Sequence, residues 1–143
     1  MGTANLPPGK GHCYHTAHPQ NQGATYCRTS SNLRQWSASR IVAKGGLAKD
    51  GPFSAECPFV VELERGQFYL FRTQHYGANA QTSFYVSLDP LDFGLNHDQG
   101  HFVWTLPVAA PEIIRHKDQW FIAALLPNLK GIQMSHLAWI KTL

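Results

Sequence analysis

Short apolar runs alternate with polar turns along most of this chain. The clearest case lies in residues 54–71, where apolar runs at 59–63 and 68–71 flank the polar trio at 64–66. Apolar runs of this length, separated by a glycine-containing turn, are typical of a β-hairpin. The pattern therefore predicts two strands joined by a tight turn.

A second copy of this hairpin follows. Aligning Pro58 on Pro111 repeats the pattern over residues 109–124, and the two prolines are 53 residues apart. That spacing is close to the roughly 40 to 50 residues of a four-stranded propeller blade. A partial third copy, residues 13–30, has the same strand, turn and strand order. The repeats predict a single domain built from one recurring unit.

The predicted fold is all-β, a partial β-propeller of about two four-stranded antiparallel blades plus part of a preceding one. We expect the single domain 1–143 to contain a partial blade at 12–44, a blade at 54–106 and a final blade at 107–143. The turn at 31–36 is expected to close on a buried Trp36. The strands are predicted at 13–17, 24–30, 40–44, 56–63, 67–74, 82–88, 101–106, 112–115, 119–125, 132–137 and 138–143.

Composition restricts the function classes. Apolar residues make up 43% of the chain and charged residues only 15%, and the net charge of +3 is scattered, so we expect no nucleic-acid partner. No apolar window is long enough for a membrane helix, and residues 1–10 have no signal-peptide pattern, which leaves the localisation open. The odd count of three cysteines argues against a disulfide framework, and buried thiols are expected.

The segment 11–18 carries His12, His15 and His18, which raises the question of a metal site. On a strand, His15 faces away from the other two, and Pro19 stops a helix. We therefore expect ordinary strand histidines and neither a metal nor a cofactor from this segment. A metal in a central channel, held by histidines of several blades, stays an open alternative.

Glu56 is the candidate catalytic residue. It stands two residues before Pro58, where the inner strand of a propeller blade begins beside the channel, and the later copy has Ala109 there. A carboxyl beside apolar side chains such as Phe53 and Phe59 has its charged form disfavoured, which suits a general acid. The alternative is a strand-end glutamate without a chemical role.

Several motifs carry a family resemblance: Glu-Cys-Pro-Phe-Val-Val at 56–61, Phe-Tyr-Leu-Phe-Arg-Thr at 68–73, the run 86–94, and Ala-Pro-Glu-Ile-Ile at 110–114. In this order they resemble the five-bladed β-propeller glycoside hydrolases of families 32 and 43. The resemblance implies that Glu56 is the general acid. It also implies an Asp partner from an earlier blade, which none of the aspartates here matches. The chain is thus expected to be a C-terminal portion that lacks the catalytic aspartates.

The resemblance implies hydrolysis of an arabinoside, xyloside or fructoside, and leaves the sugar and the stereochemistry open. Arg72, His75 and Tyr76, near the end of the second strand of the Glu56 hairpin, are expected to contact the carbohydrate substrate, the alternative being exposed hairpin residues. Glu112 aligns with Phe59 and is expected to be structural. Open blade edges predict self-association. The alternative function is a non-catalytic carbohydrate-binding or structural propeller fragment.

Overall fold

A computed structural model describes residues 11–96 and 100–139, which form eleven β-strands and three single-turn 3₁₀ helices. The prediction of an all-β fold is confirmed. The strands are β1 (Gly11–Ala17), β2 (Ala24–Ser30), β3 (Arg40–Gly45), β4 (Glu56–Glu64), β5 (Gln67–His75), β6 (Gln81–Ser87), β7 (Leu95–Asn96), β8 (Phe102–Leu106), β9 (Ala109–His116), β10 (Gln119–Leu125) and β11 (Ile132–Leu137).

The strands form three sheets that follow one another along the chain. The first has the order β1-β2-β3-β7, the second β4-β5-β6-β8 and the third β9-β10-β11. All pairs are antiparallel except β3 with β7, where Leu95 and Asn96 return to the edge of the first sheet. The strands β1, β4 and β9, one from each sheet, are brought near one another, because β4 contacts both of the others.

Two apolar layers hold the sheets together. Between the first and second sheets the core includes Cys27, Val42, Leu70, Tyr85 and Phe93. Between the second and third sheets, Val61, Phe71 and Ile113 form a core extended by partly buried aromatic residues. The second sheet is therefore covered on both faces, since alternate side chains of β5 enter different cores. Phe93 of the 89–94 turn is buried in the first of these cores, and the partly buried Leu91 packs against it.

The internal repeat has a structural counterpart at the start of β4 and β9. Cys57 and Ala110, each directly before the aligned proline, both have positive φ, at 45° and 49°. In each strand the register shifts at this point, so that a bulge interrupts the ladder. A positive φ is uncommon outside glycine, and its recurrence at aligned positions shows that the two strands start in the same way.

A pair of threonines also recurs. Thr16 pairs with Thr25 across β1 and β2, and Thr73 pairs with Thr82 across β5 and β6, with equal chain separations. The hairpin β1–β2 is therefore the counterpart of β5–β6. In the third sheet Leu125 and Ile132 are paired across β10 and β11.

Three predictions about individual residues were wrong. Trp36 is not buried, because 38% of it is exposed at the end of the 31–36 turn. Only Cys27 is a buried thiol, since Cys13 and Cys57 are exposed; all three are free. The last predicted strand, 138–143, does not include Ala138 and Trp139, which lie outside any strand, and its other residues fall outside the described ranges.

Candidate functional site

Glu56 begins β4 opposite Thr73 of β5, and the next regular pair is Phe59 with Phe71. Two residues of β4, Cys57 and Pro58, therefore oppose Arg72 alone. A bulge of this kind turns consecutive side chains away from strict alternation. As a result, the Glu56 and Cys57 side chains both reach the same neighbour, Tyr76.

Tyr76 follows β5 directly and precedes the 3₁₀ turn Gly77–Asn79. Its hydroxyl lies 3.2 Å from the thiol sulfur of Cys57, and the Glu56 carboxyl lies near enough to influence its ionisation. Burial raises the pKa of the Tyr76 phenol, and the neighbouring Cys57 thiol and Glu56 carboxyl raise it further. The phenol therefore keeps its proton at neutral pH and acts as a donor.

Gln74 fixes the segment that leads into Glu56. Its side-chain amide donates to the carbonyl oxygens of Ser54, at 3.1 Å, and Arg72. Its carbonyl oxygen accepts from both the backbone N–H and the hydroxyl of Ser83, each at 3.0 Å. One side chain thus ties the chain before Glu56 to β5 and β6.

The first sheet holds the same segment from the other side. The Thr16 hydroxyl donates to the carbonyl oxygen of Ala55, the residue before Glu56. Gly23 donates its backbone N–H to Asp50 and Gly51, and Ser54 donates to Gly51 at 3.0 Å. Hydrogen bonds from both the first and the second sheet therefore hold the backbone that leads into Glu56.

A threonine hydroxyl also donates to a backbone carbonyl between the second and third sheets. Thr82 donates to the carbonyl oxygen of Val108 at 2.7 Å, so Thr73 must donate to Thr82 across the 2.9 Å that separates their hydroxyls. Thr73 in turn accepts from the backbone N–H of Ala110 at 2.9 Å. In the repeat alignment Val108 corresponds to Ala55. One threonine of each pair, Thr16 or Thr82, therefore holds the carbonyl that precedes the next bulged strand, although the Thr25 hydroxyl has no hydrogen-bond partner among the described residues.

The structure brings Glu56 and Tyr76 together, but it separates them from the other two candidates. Arg72 is only 1% exposed and lies within β5, with its guanidinium carbon 5.5 Å from the centre of the Tyr85 ring. It belongs to the face packed against the first sheet, so the alternative of an exposed hairpin residue was wrong for it, and the same burial leaves it no surface for the expected contact with a substrate. His75 is exposed at the end of β5.

Other carboxylates and histidines lie apart from this cluster. Glu112 is exposed on β9 opposite Ala123, and its structural role stays a prediction. Phe53, which was expected beside Glu56 in an apolar wall, is 65% exposed. His15 stacks on Tyr26 and His12 on Tyr14. Within residues 11–96 and 100–139, no group of three metal-ligating side chains is present.

Sequence reasoning missed Cys57, Gln74 and Thr73 as parts of the site. The recurrence of paired threonines at equal separation was a visible signal for Thr73 and Thr82. Cys57 had no such signal, since its contact with Tyr76 depends on the bulge.

Comparison of the chain with protein-family models, curated proteins and solved structures finds no significant match. Among the described residues no helix has the length and apolar character needed to cross a membrane.

Proposed function

We propose that the three sheets are successive blades of a β-propeller, and that the chain is a portion of a glycoside-hydrolase-like enzyme with Glu56 as general acid. The recurrent bulge before Pro58 and Pro111 and the contact between β4 and β9, which begin in the same way, support the blade arrangement. Inner strands of propeller blades adjoin one another around a central channel in this way. The sequence motifs at 56–61 and 86–94 support the family.

One observation carries the proposal. Glu56 stands at the bulged start of β4 beside a phenol that stays protonated, while the structurally equivalent position in β9 is the buried Ala109. The bulge therefore does not require a carboxylate. We therefore attribute a chemical role to a carboxyl that is present in only one of two equivalent positions and has a protonated phenol beside it.

The proposed reaction uses Glu56 to protonate the glycosidic oxygen while the bond from that oxygen to the anomeric carbon breaks. Tyr76 orients the carboxyl through its hydroxyl. A second carboxylate must attack the anomeric carbon or activate water. Asp50, Asp89, Asp92 and Asp118 lie outside the strands, and no hydrogen bond or ion pair in the described residues joins them to Glu56.

The first sheet supports the view that the propeller is incomplete. In the second and third sheets, the hairpin carrying the second and third strands is preceded by a first strand, β4 or β9. β1 is the counterpart of β5, yet no strand lies on its other side in the described part of the chain. Edges of this kind favour self-association, which we propose as the state of this chain in isolation.

The second candidate is a non-catalytic carbohydrate-binding or structural protein. The observation in its favour is the absence of a second carboxylate beside Glu56 in the described residues. In this case Glu56 and Tyr76 contact a sugar through hydrogen bonds alone. The two candidates differ in whether any bond to the anomeric carbon is broken.

The test is to incubate the chain with phenyl arabinofuranoside, xyloside and fructoside, with and without azide as a substitute nucleophile. Azide bonds to the anomeric carbon, the phenoxide leaves, and Glu56 supplies its proton. We expect glycosyl azide from at least one substrate, reduced about a hundredfold or more in Glu56→Gln and unchanged in the exposed control Glu112→Gln. No product, or equal rates in wild type and Glu56→Gln, would favour the non-catalytic candidate.

A further inference from the structure

A cavity of about 580 Å³ lies where the first and second sheets meet, at the end remote from Glu56. It is bordered by the start of β1, the end of β2, the 31–37 loop and Leu91. His12 borders it, whereas Thr16, farther along the same strand, contacts Ala55 beside Glu56. Those two residues are about 13 Å apart along β1, so the cavity is separate from the Glu56 cluster.

The loop that forms one wall is held by its own hydrogen bonds. Asn32 accepts from the backbone N–H groups of Arg34 and Gln35, at 3.0 and 2.9 Å. Ser37 closes the loop, since its N–H donates to the Thr29 carbonyl at 2.9 Å and its hydroxyl accepts from the Thr29 N–H at 3.0 Å. The loop therefore presents Trp36 at a fixed position.

Trp36 supplies an aromatic surface to this cavity. Its ring packs so closely on Gly11 that a Cβ at Gly11 would lie 3.2 Å from it. Even so, 38% of Trp36 is exposed, which leaves part of the ring open to the cavity. A rigid aromatic ring with a free surface suits stacking against the apolar face of a ligand.

The residues that border the cavity include no aspartate, glutamate, lysine or arginine, and most of the surface that they expose is apolar. Besides Trp36 the lining includes hydroxyl, amide and imidazole groups from Thr29, Ser30, Gln35, Ser37 and His12. Such groups donate and accept hydrogen bonds without a formal charge. The Arg40 guanidinium lies at the margin, where it donates to the Leu91 carbonyl at 3.5 Å, but no cationic side chain lines the cavity itself. A neutral polyhydroxy compound finds an apolar stacking surface beside an amide group here.

We propose that this cavity binds a neutral saccharide, as a second sugar site distinct from Glu56. The C–H face of a sugar ring stacks on Trp36, and its hydroxyls exchange hydrogen bonds with the Gln35 amide and the Ser31 hydroxyl, since the Ser30 and Ser37 hydroxyls are already bonded within the loop. The volume lies within the range of small-molecule pockets, so one or two sugar rings are accommodated. The site does not depend on Glu56 being catalytic.

The test is an NMR titration of the isotope-labelled chain with xylotriose, arabinotriose and kestose, which follows the backbone amides of Thr29 and Ser37. We expect saturable shifts with at least one trisaccharide. Affinity should fall about tenfold or more in Trp36→Ala and also fall in Gln35→Ala. Trp104→Ala, which removes a tryptophan that is 67% exposed on β8, should bind as wild type does, as should Glu56→Gln.

Three results would overturn the proposal: no saturable shift with any of the three sugars, unchanged binding in both Trp36→Ala and Gln35→Ala, or saturation by adenosine but not by sugars. Gln35 is exposed in a loop, so Gln35→Ala is expected to fold. It keeps the test valid if Trp36→Ala fails to fold. Loss of azide transfer in Glu56→Gln with retained sugar shifts separates this site from the proposed catalytic one.

Discussion

The hydroxyl of Tyr76 lies 3.2 Å from the thiol of Cys57. The two residues are far apart in the sequence, and they meet because the bulge at Cys57, with φ of 45°, turns its side chain toward the end of β5. Glu56 reaches the same hydroxyl. This contact makes Tyr76 the residue that joins the start of one strand to the end of the next.

Replacing either acidic neighbour of Tyr76 should make its phenol easier to ionise. Burial raises the pKa of Tyr76, and the Cys57 thiol and Glu56 carboxyl raise it further by hydrogen bonding and charge. Cys57→Ser and Glu56→Gln should each lower this pKa, while the contribution of burial remains. NMR titration of Cζ-labelled tyrosine, assigned with Tyr76→Phe, measures the change. A wild-type Tyr76 that titrates near the ordinary value of about 10 would contradict the contact.

Unfolding stability should fall in alkaline solution. Burial, followed by the charges of Cys27 and Asp89, raises the pKa of Tyr14, and burial raises that of Cys27 to about 11. The unfolded chain releases these protons at lower pH than the folded chain. The stabilisation from Tyr14 is therefore complete below about pH 10 and is lost as the pH rises above it.

Urea denaturation between about pH 8 and about pH 11 measures this loss. Tyr14→Phe should make the free energy of unfolding depend less steeply on pH. It should also lower that free energy by about 1 kcal/mol at neutral pH, because the 2.8 Å hydrogen bond to the Pro90 carbonyl is removed. A slope that is the same in Tyr14→Phe would show that this phenol does not contribute.

Thr73→Val should destabilise the chain by about 1 to 3 kcal/mol. The change leaves the Ala110 N–H without its acceptor and removes the donor to Thr82, in a buried position. Thr105→Val on β8 is the matched control, because Thr105 is only partly buried and should change stability little. Thermal or urea unfolding measures both. Equal losses in the two variants would show that the hydrogen-bond chain does not stabilise the start of β9.

Gly23→Ala should lower the free energy of unfolding by at least about 2 kcal/mol, whereas Gly51→Ala should leave it nearly unchanged. A Cβ at Gly23 would overlap the Gly51 carbonyl oxygen and lie 2.7 Å from the Ser54 hydroxyl, while a Cβ at Gly51 meets nothing within 4 Å. The first substitution pushes away the loop that leads to Glu56. Comparing the urea midpoints of the two variants tests whether that loop is tightly held; similar midpoints would show that it is not.

Much of the strand pattern followed from the sequence. The strands Ala24–Ser30, Gln119–Leu125 and Ile132–Leu137 have the predicted bounds, because a short apolar run between turn residues constrains both ends. The repeat on Pro58 and Pro111 also predicted that β4 and β9 are equivalent, which their shared backbone geometry confirms.

The surroundings of the candidate residues were harder to predict. Arg72 was expected to contact the carbohydrate substrate, with an exposed hairpin residue as the alternative. Both faces of the second sheet are covered, so alternation along β5 leaves no exposed face for it. The contact between Tyr76 and Cys57 depends on a positive φ that a cysteine before proline does not signal. Trp36 is exposed because its loop is held by backbone and side-chain hydrogen bonds, independently of the ring.

The most direct test of Glu56 as a general acid is how the rate of azide transfer depends on the leaving group in wild type and Glu56→Gln. A general acid matters most when the departing oxygen is basic. The rate of azide transfer should therefore fall about a hundredfold or more in the variant with phenyl glycosides, and should fall little with dinitrophenyl glycosides. We expect this difference between the two leaving groups. Equal losses with both leaving groups would contradict it, and would assign Glu56 to binding or to the structure of the β4 bulge.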